Sequence, residues 1–466
     1  MNRLGATSEI KRWLKRHLKE NTEEGKAAPI QRWELDYPSE SREALFSASG
    51  RIVQGWVLLN DDQAVRLSKL RIIAQWESIY ELCHPLEIER PDVIERVLAA
   101  EPGEHPQRRC GFRFSIPSRV RNFQLCLAME GQRWLLQDVV IAEEEVANPT
   151  ALKVLEGKAG WLFLDNDTNG SVDQYRGRLL LTDEGVAGWQ QYLAGFHSLA
   201  RQYGAREAVL VAPSKESVMG PRYHPFEEGK GGPISQLLSL PEASHFIYPV
   251  PELLALGDDA FIQTDTHWAQ QGAMAAAKAL AFALGLDKTA VEKVFTADKY
   301  QERKLTGDLG SKFFPERQCT INALRSFNYN QHRHFDNGLP NFGRLLVLAY
   351  EKALMPGTCL VFGSSSSYSM FNYLSRLFKR VVFVHSAGSL DPELVAAVKP
   401  DYLVVQTNAR FVVQVPRVKQ SLSALIADKR ERLTEEEREM VVKRQVLVAE
   451  DDATVTALGL SPWEGL

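Results

Sequence analysis

Leu360-Val361-Phe362-Gly363-Ser364-Ser365-Ser366-Ser367 reads as a short apolar strand that runs through a glycine into a serine-rich turn, and residues 370–378 then carry the pattern of a helix. A strand, a glycine turn and a helix in this order predict a nucleophile elbow, which lifts a hydroxyl clear of its own backbone. The helix start would also aim unpaired amides at any anion that forms beside it. A serine hydroxyl is a weak nucleophile unless a base removes its proton, and a histidine does this best when a carboxylate fixes its tautomer. Asp265-Thr266-His267-Trp268, upstream, offers that pair. In a loop, residues two apart can project to the same side, so Asp265 could reach one imidazole nitrogen and leave the other for a serine. The competing reading makes Asp265 and His267 caps of a helix beginning near Ala269, and the serines a polar turn or an anion-binding nest. Both elements fall in one domain, which favours acyl transfer.

Around this stretch the chain alternates strand and helix. Trp161-Leu162-Phe163-Leu164, residues 208–212, 345–348, 359–362, 381–384 and 402–405 read as strands, and residues 185–203 and 270–284 as helices. Such alternation predicts an α/β fold, a mostly parallel sheet with helices on both faces over residues 148–420. Ligands of these sheets bind at the carboxyl ends of the strands, where Ser365 would sit. Residues 43–147 differ, with short β-rich runs divided by turn signals, and predict a small β-sandwich. Residues 1–42 divide into a basic amphipathic helix over 8–19 and a polar linker, and residues 421–466 read as a charged helical tail with a solvated face.

At 466 residues with a net charge of -4, the chain is expected to form two to three domains, and no nucleic-acid partner is implied. Residues 1–26 hold no apolar run of the kind a secretory signal needs, and no segment has the eighteen or so apolar residues of a membrane span. The 5 cysteines are scattered without paired spacing, which favours a reducing compartment, and no Cys/His cluster suggests a metal. The expected location is therefore cytoplasmic. Residues 8–19 could add a peripheral contact with an anionic membrane or a partner protein.

Glu156-Gly157-Lys158-Ala159-Gly160-Trp161-Leu162-Phe163-Leu164, Asn166, Asp167, Pro213-Ser214-Lys215-Glu216-Ser217-Val218, Asp265-Thr266-His267-Trp268 and Gly272 follow one another in an order that resembles the SGNH-hydrolase-like domain of the alginate O-acetyltransferase family. Thr306-Gly307-Asp308-Leu309-Gly310, the segment from Gly363 to Ser367, and Lys399-Pro400-Asp401 before Asn408 and Arg410 continue the likeness over residues 154–416. Members acetylate hydroxyls of bacterial exopolysaccharides, so the resemblance implies Ser365 as nucleophile, His267 as base and Asp265 as its orienting partner. It also implies a glycan acceptor, an oxyanion held by the Ser365 or Ser366 amide with a second donor from the Gly307 loop, and no tightly bound cofactor. The acetyl donor stays open between acetyl-CoA and an acylated partner. Trp268 and Tyr368 could stack on a sugar or belong to the core, and Lys215 and Arg410 could bind an anionic substrate or form ion pairs. An esterase using the same triad and a non-catalytic glycan-binding protein are the alternatives.

The chain departs from the pattern at three points. Gly363-Ser364-Ser365 stands where ordinary SGNH enzymes have Gly-Asp-Ser, Ala409 replaces the acidic residue common before the arginine, and no export signal accompanies a domain that works in the periplasm in its family. Gly55-Trp56-Val57, Arg90-Pro91-Asp92-Val93 and Gly111-Phe112 also resemble an accessory β-domain that accompanies bacterial glycosyltransferases and surface-sugar enzymes.

Overall fold

The computed structural model describes residues 28–39, 45–47, 49–141 and 154–446. The amphipathic helix expected over residues 8–19 lies outside the described residues. Two compact units divide the chain, one ending at Pro149 and one beginning at Thr150, with Ser78–Tyr80 assigned to the second.

Apolar β-branched and aromatic residues dominate the strands of the second unit, so its sheet is buried on both faces. In chain order the strands are β1 (Arg206–Ala212), β2 (Phe246–Ile247), β3 (Arg333–Asp336), β4 (Leu345–Ala349), β5 (Met355–Gly363), β6 (Phe378–His385) and β7 (Tyr402–Asn408). They lie side by side in the order β2-β1-β7-β5-β6-β4-β3. Pairing is parallel from β2 to β6 and antiparallel at β6/β4 and β4/β3. Alternation sends Cys359 and Val361 to one face and Leu360 and Phe362 to the other. Helices cover both faces: α1 (Asp183–Tyr203) packs Trp189, Tyr192 and Phe196 on one, and α2 (Gln270–Ala283) and α3 (Ser366–Leu377) cover the other. Among the described residues no helix is long and apolar enough to cross a membrane.

The first unit is β-rich. Gly50–Leu59 pairs with Ile30–Tyr37, Phe46–Ser47 and Gly111–Ile116, while Tyr80–Pro85, Arg71–Gln75, Asn122–Met129 and Gln132–Val140 form a second sheet. One core unites the two, drawing Val53, Trp56 and Phe112 from the first and Ile72, Leu82 and Leu125 from the second. The fragments that resemble an accessory β-domain meet here. Gly111 pairs with Trp56, an added Cβ on it would stand 2.8 Å from Arg90 Cγ, and Arg90 spans Asp36 and Asp92.

Two sequence expectations need correction. Residues 30–37, assigned to the linker, form a strand, because Trp33 and Leu35 alternate with Arg32, Glu34 and Asp36 and pack on the sandwich core. Residues 422–444, assigned to a tail, form Leu422–Arg432 and Glu435–Arg444, which place Leu422, Ile426 and Val441 in the same core as α1. Their charges hid a narrow apolar edge.

The end of β5 sets the position of everything that follows. Gly363 needs no left-handed backbone; what it supplies is room, since an added Cβ would stand 2.4 Å from Ser367 Oγ and 2.7 Å from the Phe383 ring. Gly363→Ala should therefore lower unfolding free energy by about 1–3 kcal/mol through overpacking, measured by urea denaturation.

Candidate active site

Ser365 is the N-cap of α3 with helical φ and ψ of -56° and -29°, so the turn presents its hydroxyl without backbone strain. Its three serine neighbours are tied down. Ser364 Oγ and Ser367 Oγ each donate to Gln406 Oε1 at 2.8 Å, Ser364 N donates to the same oxygen at 2.8 Å, and Ser366 Oγ donates to Asn408 Oδ1 at 2.8 Å. Ser364, Ser366 and Ser367 are buried, whereas Ser365 is half-buried and its Oγ meets His267 Nε2 at 3.1 Å. Burial and hydrogen bonding thus distinguish the four serines that sequence left equivalent.

The histidine arrives on a tight loop closed by the Phe261/Trp268 bridge, the Ile262 N–H to His267 O bond and the Ala269 N–H to Ala260 O bond. Ala269 caps α2 without a side-chain bond, so Asp265 is free for another task. Asp265 Oδ1 lies 2.7 Å from His267 Nδ1 and accepts the His267 amide at 2.8 Å, and its Oδ2 accepts the Asp308 amide at 2.9 Å. Burial alone would push the Asp265 carboxyl up. The hydrogen bond and charge of His267, with the two amide donors, override it and hold the group below the usual carboxylate range. His267 shows the converse, since burial opposes the imidazolium but the Asp265 bond and the charges of Asp265 and Asp308 raise it. Arg410 pulls the other way.

Asp308 went unrecognised as a functional residue in the sequence. It accepts the Thr266 N–H at 2.7 Å and the Thr266 hydroxyl, and its Oδ2 stands 3.9 Å from His267 Nδ1. Asp265, His267 and Asp308 bring their donor atoms within 4.8 Å, a grouping that a cation could use. Here the Asp265 and Asp308 carboxylates take backbone and hydroxyl donors of the loop and face the imidazole, an arrangement that orients a base.

Several expected roles move. Gly307, with φ +74°, packs beneath the loop, where an added Cβ would stand 2.3 Å from Thr264 O, and its segment supports Asp265 through the Asp308 amide. Lys215 is a buried scaffold whose ammonium donates to the carbonyls of Leu162, Ile262, Gln263 and Asp265 at 2.7–3.0 Å. Burial pushes it down to about 7, against the charges of Glu216, Asp265 and Asp308. Trp268 is 2% exposed, packs in the core and spends its indole N–H on Ser366 O at 3.1 Å, so little of its ring is open. Tyr368 packs edge-on against Phe371 and Phe383 and bonds His385 Nδ1 at 3.0 Å, which assigns it to the core. Arg410 does reach the site.

A small cavity opens beside the triad, walled by Leu164, Phe261 and Trp268 and edged by His267, Ser366, Glu216, Asn408 and Arg410. Asn408 Oδ1 accepts from Ser366 Oγ, and lies 3.2 Å from both Ser364 Oγ and Gln406 Nε2, which leaves Nδ2 as the amide's outward donor. Gln406 and Asn408 had a legible signal: two polar residues spaced two apart at the carboxyl end of an apolar strand share one side.

Residues 246–390, which include Ser365, His267 and Asp265, match the family described as SGNH hydrolase-like domain, acetyltransferase AlgX. Among solved structures, the O-acetyltransferase domain of Pseudomonas putida AlgJ is 17% identical, with 62% of this chain and 99% of that one covered at a TM-score of 0.34. Bacillus cereus PatB1 with a sulfonyl adduct is 10% identical, covering 57% and 100% at 0.40, and Pseudomonas aeruginosa AlgX is 14% identical, covering 58% and 64% at 0.35. No curated protein matches the chain.

A protonated imidazole cannot accept the serine proton, so ester turnover should fall as pH drops through the raised pKa of His267. Asp308→Asn removes one of the charges that raise it, and the acid limb of the pH–rate profile should move to lower pH; an unmoved limb would exclude electrostatic support from Asp308. The resemblance read from the sequence holds: residues 246–390 are similar to the SGNH hydrolase-like domain of acetyltransferase AlgX.

Proposed function

We propose that this chain is an O-acetyltransferase that moves an acetyl group onto a hydroxyl of a polysaccharide or other glycan through an acyl-enzyme at Ser365. The observation that carries the reading is one imidazole bridging a carboxylate and a hydroxyl, with His267 2.7 Å from Asp265 and 3.1 Å from Ser365. Ser365 Oγ attacks the carbonyl carbon of the donor ester or thioester while its proton passes to His267 Nε2. Asp265 stabilises the imidazolium that results. The tetrahedral oxyanion lies beside the Ser365 and Ser366 amides at the start of α3, since the Ser367 and Tyr368 amides donate to Ser364 O and Ser365 O, and within reach of the outward amide of Asn408. Collapse expels the donor's leaving group, which takes the proton from His267. An acceptor hydroxyl then gives its proton to the same nitrogen and attacks the acetyl carbon, and as the bond from that carbon to Ser365 Oγ breaks, His267 returns the proton to Oγ. If water enters instead, the machinery is that of an esterase.

The match to acetyltransferase AlgX over residues 246–390 supports acetyl as the group moved, and the likeness to the alginate O-acetyltransferases supports a glycan acceptor. Acetyl-CoA and an acylated partner protein are both compatible donors. The test compares wild type with Ser365→Ala, His267→Ala and Asp265→Ala on 4-nitrophenyl acetate, with and without oligosaccharide. Each variant should lose roughly three orders of magnitude or more, and combined variants should lose little further, because the three act as a unit. Equal rates in all proteins would instead favour a non-catalytic glycan-binding role.

A further inference from the structure

The cavity beside the triad holds one carboxyl that the acyl-transfer steps do not use. Glu216 follows Lys215 at the start of the Lys215–Tyr223 helix. Both line the cavity with His267, Asn408 and Arg410, but the Lys215 ammonium is spent on backbone carbonyls of the histidine loop and its neighbours. Glu216 is only 6% exposed. Among the described residues its carboxyl is served by its own backbone amide, and no ion pair within 4 Å reaches it. Burial raises its pKa, opposed by the charges of Arg410 and Lys215 and assisted by Asp167. A carboxyl withdrawn from water without a full set of donors is costly, and a ligand that supplies hydroxyl donors removes that cost.

We propose that Glu216 and Arg410 form an acceptor subsite that holds a vicinal diol of a neutral sugar and sets the neighbouring hydroxyl against His267. The carboxyl accepts hydrogen bonds from sugar hydroxyls, and the guanidinium, which cannot be deprotonated, donates to their oxygens. Glu216 and Arg410 supply the polar edge of a cavity whose walls are Leu164, Phe261 and Trp268. The Glu216 carboxylate balances the Arg410 charge, so the carboxylate of an acidic sugar finds no unmatched cation and neutral acceptors are preferred over uronates. This assignment rests on the acetyl-transfer reading and specifies its substrate.

The test separates the two. The full chain carrying Ser365→Ala, which forms no acyl-enzyme, is titrated calorimetrically with cellohexaose, chitohexaose and a hexamer of β-1,4-linked mannuronate. At least one neutral hexamer should bind more tightly than the mannuronate, and adding Glu216→Gln should weaken it about tenfold, the scale of losing a charged hydrogen bond. Glu216→Gln keeps the side-chain shape, and Glu216→Leu and Arg410→Met, checked for folding by thermal unfolding, should weaken binding at least as much. Binding to neither neutral sugar, tighter binding of mannuronate, or less than about twofold loss in all three variants would overturn the subsite. Acetylation of Ser365 in the unmutated chain is read separately by mass spectrometry, and its absence would overturn the transfer reading whatever the sugars do.

Discussion

One buried hydrogen bond ties the two halves of the site together. Trp268 Nε1 donates to Ser366 O at 3.1 Å, joining the histidine loop to the first turn of α3 across a separation of 98 residues. Trp268 is also part of the core between α2, α3 and the sheet, so packing and hydrogen bonding fix the same distance. A serine and a histidine that far apart in sequence can react together only if their backbones are held to within a few tenths of an ångström. The indole supplies that constraint beside the reacting atoms, where its neighbour His267 must meet Ser365.

Around this joint, two buried polar side chains hold the segments that carry the triad. Lys215 gathers four carbonyls from the segments that carry Leu162 and Asp265, and Gln406 gathers three donors from the nucleophile turn. Buried polar groups of this kind stabilise one geometry when fully paired. The result is a histidine loop held by Lys215 and Asp308 and a serine turn held by Gln406, Asn408 and Trp268. Electrostatics follow from the same packing: the carboxylates that hold the loop also hold His267 in position and raise its basicity.

Much of this was legible in the residues. The alternation of Met355–Gly363, Phe378–His385 and Tyr402–Asn408 with helices announced the parallel sheet, because full burial on two faces demands continuous apolar strands. Asp265 and His267 were legible because their partnership is local, two residues apart on one loop. The support shell was not. Lys215 and Gly307 carry chemistry in many proteins, and only the fold reveals that one collects carbonyls and the other makes room for Thr264 O. Tyr368 and Trp268 read in sequence as either sugar platforms or core, and the fold assigns their aromatic area to the nearest core. The charged helices of residues 422–444 misled for a related reason, since a few apolar positions suffice to anchor a helix whose other faces are wet.

The central claim is that Ser365, among four adjacent serines, becomes acetylated and passes the acetyl group on. The most direct measurement is peptide mapping by mass spectrometry after brief exposure to 4-nitrophenyl acetate and rapid acid quenching. The account predicts one acetyl group on Ser365, absent in Ser365→Ala and His267→Ala and discharged faster when an acceptor oligosaccharide is present. Acetylation spread over surface lysines with Ser365 unmodified, or located on Ser364, Ser366 or Ser367, would contradict it.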